Sequence, residues 1–389
     1  MRILNVIATM DPKSGGPCQG LRNSIPVQKK GGIENEVVCF DEPDMNFSKY
    51  DDFKIHAIGP AKGPYAYCPR LKKWLYENME RFDITLIHGL WLYNSFGTYI
   101  SWLHLKKKNK HVPKLYLMPH GMLDPYFQRA RSRRLKAIRN WFFWKLIEKR
   151  VVNGADGLLF TCNKELNLAK ETFSNYKPKS VLNTGFGIPE PPAKNINHLW
   201  TFLKKCPRIS TNAYWLFLSR IHPKKGVDLL VKEYLKLKNE NDEIPDLVIA
   251  GPGLETTYGK DVQMTGKHPS IHFPGMLEGK AKWSAFHFCE AFILPSHQEN
   301  FGIAVVEALA CKKPVLISDQ INIWKEIEAG GGGLVSKDTS EGIRNLLKNW
   351  ISLSARQQAE MGLNAYNVYR ENFYVEKTAL DMISKIESN

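Results

Sequence analysis

The sequence lacks the features that identify several common classes of protein. None of its apolar stretches is long enough to span a membrane. Neither G-x-x-x-x-G-K-[ST] nor G-x-S-x-G occurs, which excludes P-loop nucleotide hydrolases and α/β-hydrolases. Asp-x-Asp is also absent, and with it the usual anchor for a metal ion on a diphosphate. We therefore expect any diphosphate to be met by protein cations and N–H groups, with no metal required.

Cysteine usage indicates a reducing compartment. The seven cysteines are an odd number, are scattered and contain no C-x-x-C pair: Cys18, Cys39, Cys68, Cys162, Cys206, Cys289 and Cys311. This pattern favours reduced core thiols over disulfides or zinc ligands. The apolar run at residues 3–9 is too short for a signal peptide and reads as a first strand. A cytoplasmic protein is expected.

Apolar content, in contrast, is ample for packed cores, with 43% hydrophobic and 11% aromatic residues. Short continuous apolar runs alternate with amphipathic stretches, which predicts parallel sheets covered by helices on both faces. The strands are predicted at residues 3–9, 36–40, 54–58, 84–88, 114–118, 157–161 and 181–183, then at 215–219, 246–250, 271–273, 291–294 and 314–317. The fold class is therefore α/β, with two doubly wound, Rossmann-like domains.

A proline-rich stretch without periodicity, IPEPPAKN, separates the two series of strands and indicates an interdomain linker. We predict an N-terminal domain over residues 1–188, a linker over 189–212 and a C-terminal domain over 213–365. Residues 366–389 are expected to form a C-terminal helix that packs on the N-terminal domain. In such sheets ligands bind beyond the carboxyl ends of the strands. We therefore expect the two domains to face each other across a cleft that holds the ligand.

The most informative stretch is AFILPSHQENFGIAVVEALACKKP at residues 291–314. It reads as a buried strand, a polar loop containing Gly302 and a helix from about Ile303. The first N–H groups of such a helix have no internal partners and can bind an anion. Glu299 in the loop and Glu307 in the helix bracket this anion site. Carboxylates beside an anion site suit a ligand with hydroxyls as well as phosphates, which is a sugar nucleotide.

Other residues with suitable chemistry follow predicted strands. Arg220 and Lys225 flank a turn that leads into a helix, an arrangement that suits a diphosphate. An ordinary surface turn can also contain basic residues, a histidine after a strand or a pair of glycines. Taken singly, none of these features therefore distinguishes a ligand site from such a turn. Their common place after strands makes them candidates together: Gly15 and Gly16, His120, Gly251 and Gly253, and Met276 and Leu277.

The net charge of +15 is concentrated in one segment, residues 129–150, with nine Lys or Arg residues against one Glu. Aromatic residues lie near its centre. A basic aromatic helix suits an anionic membrane surface or an anionic lipid-linked acceptor, and nucleic acid less well. An ordinary surface helix with inward-facing aromatics fits the same pattern equally well. Arg131, Arg133 and Arg134 are the candidate contacts with an acceptor or membrane.

Five motifs, in order along most of the chain, resemble those of retaining glycosyltransferases of the GT-B fold, from the large family 4. The motifs are TMDPKSGGP (9–17), PHGML (119–123), FLSRIHPKKGVDLL (217–230), IAGPG with FPGML (249–253, 273–277), and SHQENFGIAVVEALACKKPV (296–315). The last resembles the family's E-x7-E signature, with Glu299 and Glu307 as its acids. The chain departs from the pattern at TGFG (184–187), where many members have an Asn-Gly turn.

The resemblance implies a role for each motif. Arg220 and Lys225 would hold the donor diphosphate, and His120 would lie near the anomeric carbon. Glu307 would bind the nucleotide ribose, while Glu299 would hold hydroxyls of the donor sugar. Further groups implied for the donor nucleotide and its sugar are Gly15, Gly16, Gly251, Gly253, the backbone near Met276 and Leu277, Asn300, Phe301, Gly302 and Ile303. Retention of anomeric configuration is implied as well, without a separate cofactor.

The sequence therefore predicts a metal-independent retaining hexosyltransferase that uses a nucleotide-diphosphate sugar, with UDP favoured over GDP. The expected acceptor is a glycan or lipid-linked glycan of envelope or exopolysaccharide synthesis, reached in the cytoplasm or on the inner face of the membrane. A GT-B epimerase and a phosphorylase are alternatives, although no pyridoxal-binding lysine motif is visible. A non-catalytic polyanion-binding protein is a third alternative. The identities of sugar, acceptor and linkage are not encoded in recognisable motifs.

Overall fold

The chain divides into two α/β units in a computed structural model that describes residues 1–45, 47, 51–108, 111–130, 133–209 and 213–389. The first unit comprises Met1–Pro189 together with Val375–Asn389, and the second comprises Glu190–Tyr374. The two predicted doubly wound sheets are thus present, and the α/β fold class is confirmed. Arg131, one of the predicted acceptor contacts, lies outside the described residues.

The first unit contains a seven-stranded sheet. Its strands are β1 (Arg2–Val6), β2 (Glu34–Cys39), β3 (Lys54–Ala57), β4 (Ile84–His88), β5 (Lys114–Met118), β6 (Gly157–Phe160) and β7 (Val181–Asn183). All neighbours pair in parallel, in the order β3-β2-β1-β4-β5-β6-β7. The winding direction therefore reverses between β1 and β4, which is where ligands bind in doubly wound folds.

Helices cover both faces of this sheet because its central strands are buried on both sides. They are α1 (Gly16–Lys30), α2 (Arg70–Asn78), α3 (Tyr93–Lys107), α4 (Tyr126–Arg129), α5 (Arg134–Phe143), α6 (Lys149–Gly154) and α7 (Asn163–Ala169). The main core lies between the sheet and α2, α3 and α6, and includes the buried side chains of Leu71, Trp102 and Val151.

The second unit contains a six-stranded parallel sheet. Its strands are β8 (Tyr214–Leu218), β9 (Asp246–Ala250), β10 (Ile271–Gly275), β11 (Ala291–Leu294), β12 (Val315–Ser318) and β13 (Gly333–Ser336). The order is β10-β9-β8-β11-β12-β13, so the winding reverses between β8 and β11. The sequence analysis did not predict β13, which follows a run of glycines, whereas the other strands agree with their predicted positions within two or three residues.

The helices of this unit are α8 (Ile196–Leu203), α9 (Val227–Glu240), α10 (Thr257–Thr265), α11 (Gly279–Phe288), α12 (Ile303–Ala310), α13 (Trp324–Ala329), α14 (Ser340–Ser352) and α15 (Ala355–Asn372). The predicted linker region contains α8, which packs on α11. Ser354 and Gln357 form a capping box that begins α15. None of the helices in the described part of the chain is long and apolar enough to cross a membrane.

The last helix, α16 (Val375–Glu387), belongs to the first unit. It packs against α1, and its Val375 and Ala379 form a small buried cluster with Val27. Ile383 and Ile386 are buried against the sheet beside Tyr116 and Leu159. The C-terminal residues therefore complete the cover over one face of the first sheet.

The basic segment is not one regular α-helix. The α5 helix ends at Phe143, a π-helical turn follows over Trp144–Glu148, and α6 begins at Lys149. Trp144 is buried, whereas Trp141 and Phe142 are about half exposed. Neither the inward-packing nor the outward-facing interpretation of the aromatic residues therefore holds for all of them.

The π-helical turn places Glu148, the one acid of the segment, in a fully buried position. Its carboxylate accepts hydrogen bonds from the Trp91 backbone N–H at 2.8 Å and from the Ser95 hydroxyl at 2.8 Å. These contacts hold the loop that follows β4. Burial raises the pKa of Glu148 to about 7, although the two hydrogen bonds act in the opposite direction.

We predict that Glu148→Gln removes a pH dependence of stability. The folded carboxyl binds its proton up to about pH 7, whereas the ordinary pKa is 4.5. Between these values the folded state binds more protons than the unfolded state, so wild-type stability falls as pH rises, by roughly 3 kcal/mol in total. Glutamine does not ionise, so the melting temperature of the variant relative to wild type should rise from pH 5 to pH 7.5. Glu171→Gln, on the surface, is the control, and a pH-independent difference for Glu148→Gln would contradict the assignment.

Candidate active site

A tight turn after β8 carries the two predicted cations of the second unit. Residues Pro223–Lys225 form a single 3-10 turn, and α9 begins two residues later. Between them, Gly226 has φ +65°, and a Cβ there would lie 2.2 Å from the carbonyl oxygen of Pro295. Only glycine permits this approach. The turn after β8 is thereby held against the end of β11.

That approach brings Lys225 to Glu299. The Lys225 ammonium donates a hydrogen bond to the Glu299 carboxylate, and their side chains are only 7% and 20% exposed. The backbone of Glu299 is fixed as well, because its N–H donates to Gln320 and its carbonyl accepts from the Asn322 N–H, both at 3.0 Å. The two sequence-predicted residues are therefore in direct contact, and a buried cation and anion balance each other.

The electrostatic surroundings of Lys225 are otherwise unfavourable for a cation. Burial lowers the pKa of its ammonium to about 7, and the charges of Lys224 and Arg220 act in the same direction. Three cations thus converge on one turn. Each would be stabilised by an anionic ligand, so the turn is suited to a diphosphate.

Beyond Glu299 the loop leads into α12. Gly302 is the N-cap residue, and no side chain caps the helix among the described residues. The N–H groups of Ile303 and Ala304 are therefore available to a ligand, whereas those of Val305 and Val306 donate to the Gly302 carbonyl. Phe301 is buried and packs edge-on against Phe373 at 5.6 Å, which anchors the loop. Asn300 lies beside it, where its side-chain oxygen accepts from Asn322 at 3.3 Å.

The second acid of the E-x7-E signature has a partner that the sequence analysis did not identify. Glu307, one turn into α12, accepts a hydrogen bond from the Lys282 ammonium at 2.5 Å. Burial raises the pKa of Glu307, while Lys282 opposes this. The Lys282 ammonium also lies 4.6 Å from the ring centre of Trp283. A lysine on a helix such as α11 resembles any solvated lysine in the sequence, so no motif indicated it.

The predicted base-side loops follow β9 and β10. Gly251 and Gly253 begin the loop after β9, and the Gly251 N–H donates to Gly275 at 2.9 Å. After β10, the Met276 side chain is 53% exposed and Leu277 is buried. The carboxyl ends of β8, β9, β10 and β11 thus gather the predicted donor residues of the second unit at one edge of its sheet.

Three of the predicted donor and catalytic residues belong to the first unit. Gly15 has φ +90°, and α1 begins at Gly16, directly after the turn that follows β1. His120 follows β5 with φ +53°, an uncommon backbone conformation for a residue other than glycine. The Gly121 N–H donates to the buried carboxylate of Glu165 at 2.5 Å, which holds this strained turn.

Neutral histidines lie at the carboxyl ends of β4 and β5. Nδ1 of His88 and Nε2 of His120 are 3.0 Å apart, and the rings stack with centres 5.3 Å apart. Burial lowers the pKa of His120 to about 4 and that of His88 well below its ordinary value. Neither ring therefore carries a charge near neutral pH. Within the described ranges, no cluster of three or more His, Cys, Asp or Glu side chains is placed to hold a metal ion.

Solved structures of glycosyltransferases share this fold. HepE of Anabaena, solved in complex with UDP and glucose, aligns over 100% of both chains with a TM-score of 0.74 at 15% identity. Sucrose-phosphate synthase of Thermosynechococcus elongatus aligns over 100% of this chain and 98% of its own, with a TM-score of 0.73 at 15% identity. The fold is that of the GT-B glycosyltransferases, as predicted.

Sequence comparisons also find glycosyltransferases. Residues 200–368 match the family described as "Glycosyl transferases group 1". An uncharacterized glycosyltransferase of Methanocaldococcus jannaschii is 23% identical over 79% of this chain and 76% of its own. O-antigen chain mannosyltransferase C of Escherichia coli is 23% identical over 38% of each chain. Residues 200–368 thus resemble the group 1 glycosyltransferases, and these similarities support the predicted class of enzyme. Assignment to family 4 stays a prediction.

We predict that Lys282→Met destabilises the second unit, because Glu307 then remains buried without its cation. The expected loss is about 1–3 kcal/mol, below that for a fully buried pair because Lys282 is partly exposed. The loss should be larger at pH 8 than at pH 5, where a lone Glu307 can take up a proton. Thermal unfolding at the two pH values measures this. Lys280→Met, at an exposed position in the same helix, is the control, and equal effects of the two substitutions would contradict the pairing.

Proposed function

We propose that the chain is a retaining hexosyltransferase that moves a hexose from a UDP-sugar to a glycan or lipid-linked acceptor of envelope or exopolysaccharide synthesis. One observation carries the proposal: at the edge where the second sheet reverses its winding, cations and carboxylates meet within the same few loops. A nucleotide sugar is a ligand that needs both. Its diphosphate requires positive charge, and its ribose and sugar require hydrogen-bond acceptors for their hydroxyls.

In this proposal Arg220 and Lys225 bind the diphosphate. Negative charge grows on the diphosphate as the glycosidic bond breaks, so cations held beside it stabilise the transition state more than the ground state. Lys225 is buried, whereas Arg220 is exposed. The free N–H groups at the start of α12 would add to this stabilisation. The transfer would need no metal ion, because the protein supplies the positive charge.

The two acids divide the remaining contacts. Glu307, one turn into α12, would accept hydrogen bonds from the ribose hydroxyls. Glu299, beside Lys225, would accept them from hydroxyls of the transferred sugar. The backbone near Met276 and Leu277, with Gly251 and Gly253, would contact the base. In the first unit, Gly15, Gly16 and His120 would contribute to the reacting end of the donor.

Retention is proposed from the family resemblance and from the chemistry of these groups. Glu299 is engaged by Lys225, and His120 is neutral and joined to His88, so neither side chain stands out as a nucleophile. A same-face reaction fits this arrangement, with the departing diphosphate oxygen taking the proton of the acceptor hydroxyl as the new bond forms. UDP is favoured because HepE, which shares the fold, is described in complex with UDP-glucose.

Replacing either cation of the clamp should impair donor use strongly. Arg220→Ala and Lys225→Ala should each reduce turnover of a UDP-sugar by about 100-fold and weaken UDP binding. Turnover is measured as UDP release and binding by calorimetry, with and without a chelator, which should have no effect. Lys232→Ala, an exposed cation on α9, is the control. Wild-type turnover in either clamp variant, with unchanged circular dichroism, would refute the assignment.

Replacement of Glu307 and replacement of Glu299 should have different effects on UDP binding. Glu307→Ala should raise the dissociation constant of free UDP by about tenfold, because a ribose contact is lost. Glu299→Ala should leave UDP binding within about twofold of wild type but reduce turnover of the UDP-sugar, since its proposed partner is absent from UDP. Calorimetry with UDP and initial rates with the UDP-sugar give both quantities. Equal losses of UDP affinity in the two variants would show that the proposed division is wrong.

We further propose that the enzyme acts at the cytoplasmic face of an anionic membrane, which α5 and the π-helical turn contact. Four apolar side chains at helical spacing are exposed there: Leu135 (84%), Ile138 (56%), Phe142 (53%) and Leu146 (66%). Such a stripe is rarely left in water on a soluble surface. Cations flank it, among them Arg134 and Lys145, whose ammonium lies 3.8 Å from the ring centre of Trp141. An apolar stripe bordered by cations suits the headgroup region of an anionic bilayer.

Charge and apolar area should contribute separately to membrane binding. Arg133→Ser with Arg134→Ser should weaken binding to anionic liposomes by about 30-fold at low salt and much less at high salt, at about 1 kcal/mol for each cation. Leu135→Ser with Leu146→Ser should weaken binding at both salt concentrations. Co-sedimentation across a salt series measures both. The control for charge is the double variant Lys204→Ser with Lys205→Ser, and the control for apolar area is Leu363→Ser. All three control residues are exposed. Partitioning that none of these variants changes would show that the segment is a solvated helix.

A further inference from the structure

A chain of side-chain hydrogen bonds runs inward from His120 through the first unit. His120 contacts His88 at 3.0 Å, and Nε2 of His88 lies 3.1 Å from Oδ1 of Asn5. The Asn5 amide donates to Asn35 at 2.9 Å, and the Asn35 amide donates to Gln28 at 3.0 Å. The chain ends where the Gln28 amide reaches the backbone carbonyl of Ala379 in α16, at 3.4 Å.

The backbone carbonyl fixes the direction of every bond in this chain. A carbonyl oxygen only accepts, so Gln28 must turn its NH₂ group towards Ala379 and its oxygen towards Asn35. Asn35 must then donate to Gln28 and accept from Asn5. Asn5 in turn presents its oxygen to His88. Reversing any one amide would place two acceptors or two donors against each other in a buried region, which costs about 1–3 kcal/mol.

The same logic determines the tautomers of both histidines. Since Asn5 presents an oxygen, Nε2 of His88 carries the proton and donates it to Asn5. Nδ1 of neutral His88 is then an acceptor, so Nε2 of His120 must carry a proton and donate it. Nδ1 of His120 is then unprotonated, and its lone pair can accept a hydrogen bond. None of the described residues forms a hydrogen bond with that atom.

The surroundings of these hydrogen bonds favour a complete series of bonds between uncharged side chains. Asn5, Gln28 and His88 are each less than 7% exposed. Apolar side chains line a small cavity beside them, including Leu86, Met118 and Met382. In such a medium hydrogen bonds are strong and a missing partner is costly. The lowered pKa values of His88 and His120 agree with two neutral rings.

We infer that His88 is a positioning residue that fixes His120 as the Nε2–H tautomer, so that Nδ1 of His120 accepts a hydrogen bond from a hydroxyl of the sugar substrate. This inference rests on the proposed function for its substrate. His120 would orient that hydroxyl and could not donate a proton to it. Asn5, Asn35 and Gln28 transmit the direction of the hydrogen bonds, and the carbonyl of Ala379 fixes that direction. The C-terminal helix α16 thus takes part in defining the chemistry of a residue at the opposite end of the chain of bonds.

Imidazole nitrogen NMR of the full-length protein tests the tautomers directly. With ¹⁵N-labelled histidine, the signals of His88 and His120, assigned by their loss in His88→Gln and His120→Gln, should both show a protonated Nε2 and an unprotonated Nδ1 at pH 7. A protonated Nδ1 on His120, or an imidazolium at either position, would overturn the inference. This result does not depend on turnover, so it is distinct from any failure of the proposed function.

A matched pair of substitutions at position 88 tests the positioning role. Glutamine can accept at its oxygen and donate from its nitrogen, as His88 does, whereas leucine can do neither. His88→Leu should leave the His120 signal as a mixture of tautomers and lower kcat for the UDP-sugar by about tenfold. His88→Gln should keep the Nε2–H signal and a kcat within about threefold of wild type. UDP affinity should be unchanged in both, since the groups proposed to bind UDP lie in the second unit. Equal His120 spectra in the two variants would overturn the role of His88.

Discussion

Parallel strands place all their carboxyl ends at one edge of the sheet, and this constraint determines where the candidate functional residues lie. Where the winding reverses, the two loops turn to opposite faces of the sheet. In the second unit the reversal lies between β8 and β11, which carry Arg220 and Lys225 on one loop and Glu299 on the other. In the first unit it lies between β1 and β4, beside Gly15 and His88.

Each of the two predicted acids at the second edge is paired with a lysine. Lys225 contacts Glu299, and Lys282 contacts Glu307. Pairs of this kind contribute little net stability, because desolvation of both ions offsets their attraction. Their value in the proposed enzyme lies in holding charged groups in place without ligand. A diphosphate near Lys225 would neutralise part of the lysine charge that Glu299 neutralises without ligand. The Glu299 carboxylate could then accept hydrogen bonds from sugar hydroxyls.

Sequence reasoning predicted all the described strands except β13, but it did not predict which side chains contact the motif residues. Buried strands such as β4, β5 and β11 consist mostly of apolar residues, and such runs are easily recognised in a sequence. The strand β13 was missed because it begins at Gly333, in a glycine run that resembles a loop. A Cβ at Gly333 would lie 2.1 Å from the Val315 carbonyl oxygen, so close strand packing, and not flexibility, explains this glycine.

The partners were missed for a different reason. Lys282 and Glu165 lie on helices whose polar residues are mostly solvated, so nothing local marks the two that face inward. His88 reads as the last residue of a strand, and its role depends on Asn5 and Asn35, which are distant in sequence. The π-helical turn in the basic segment places Glu148 beside the loop after β4, which no local pattern in the sequence indicates. Each of these depends on tertiary contacts that periodicity and spacing do not encode.

A crystal structure of the protein with UDP would test the central claim most directly, because the claim assigns a partner to each part of the nucleotide. The account predicts diphosphate oxygens within hydrogen-bonding distance of Lys225 and Arg220, at the N-terminus of α12, with the ribose hydroxyls on Glu307. UDP bound elsewhere on the chain, or a diphosphate at this edge that contacts neither cation, would contradict it.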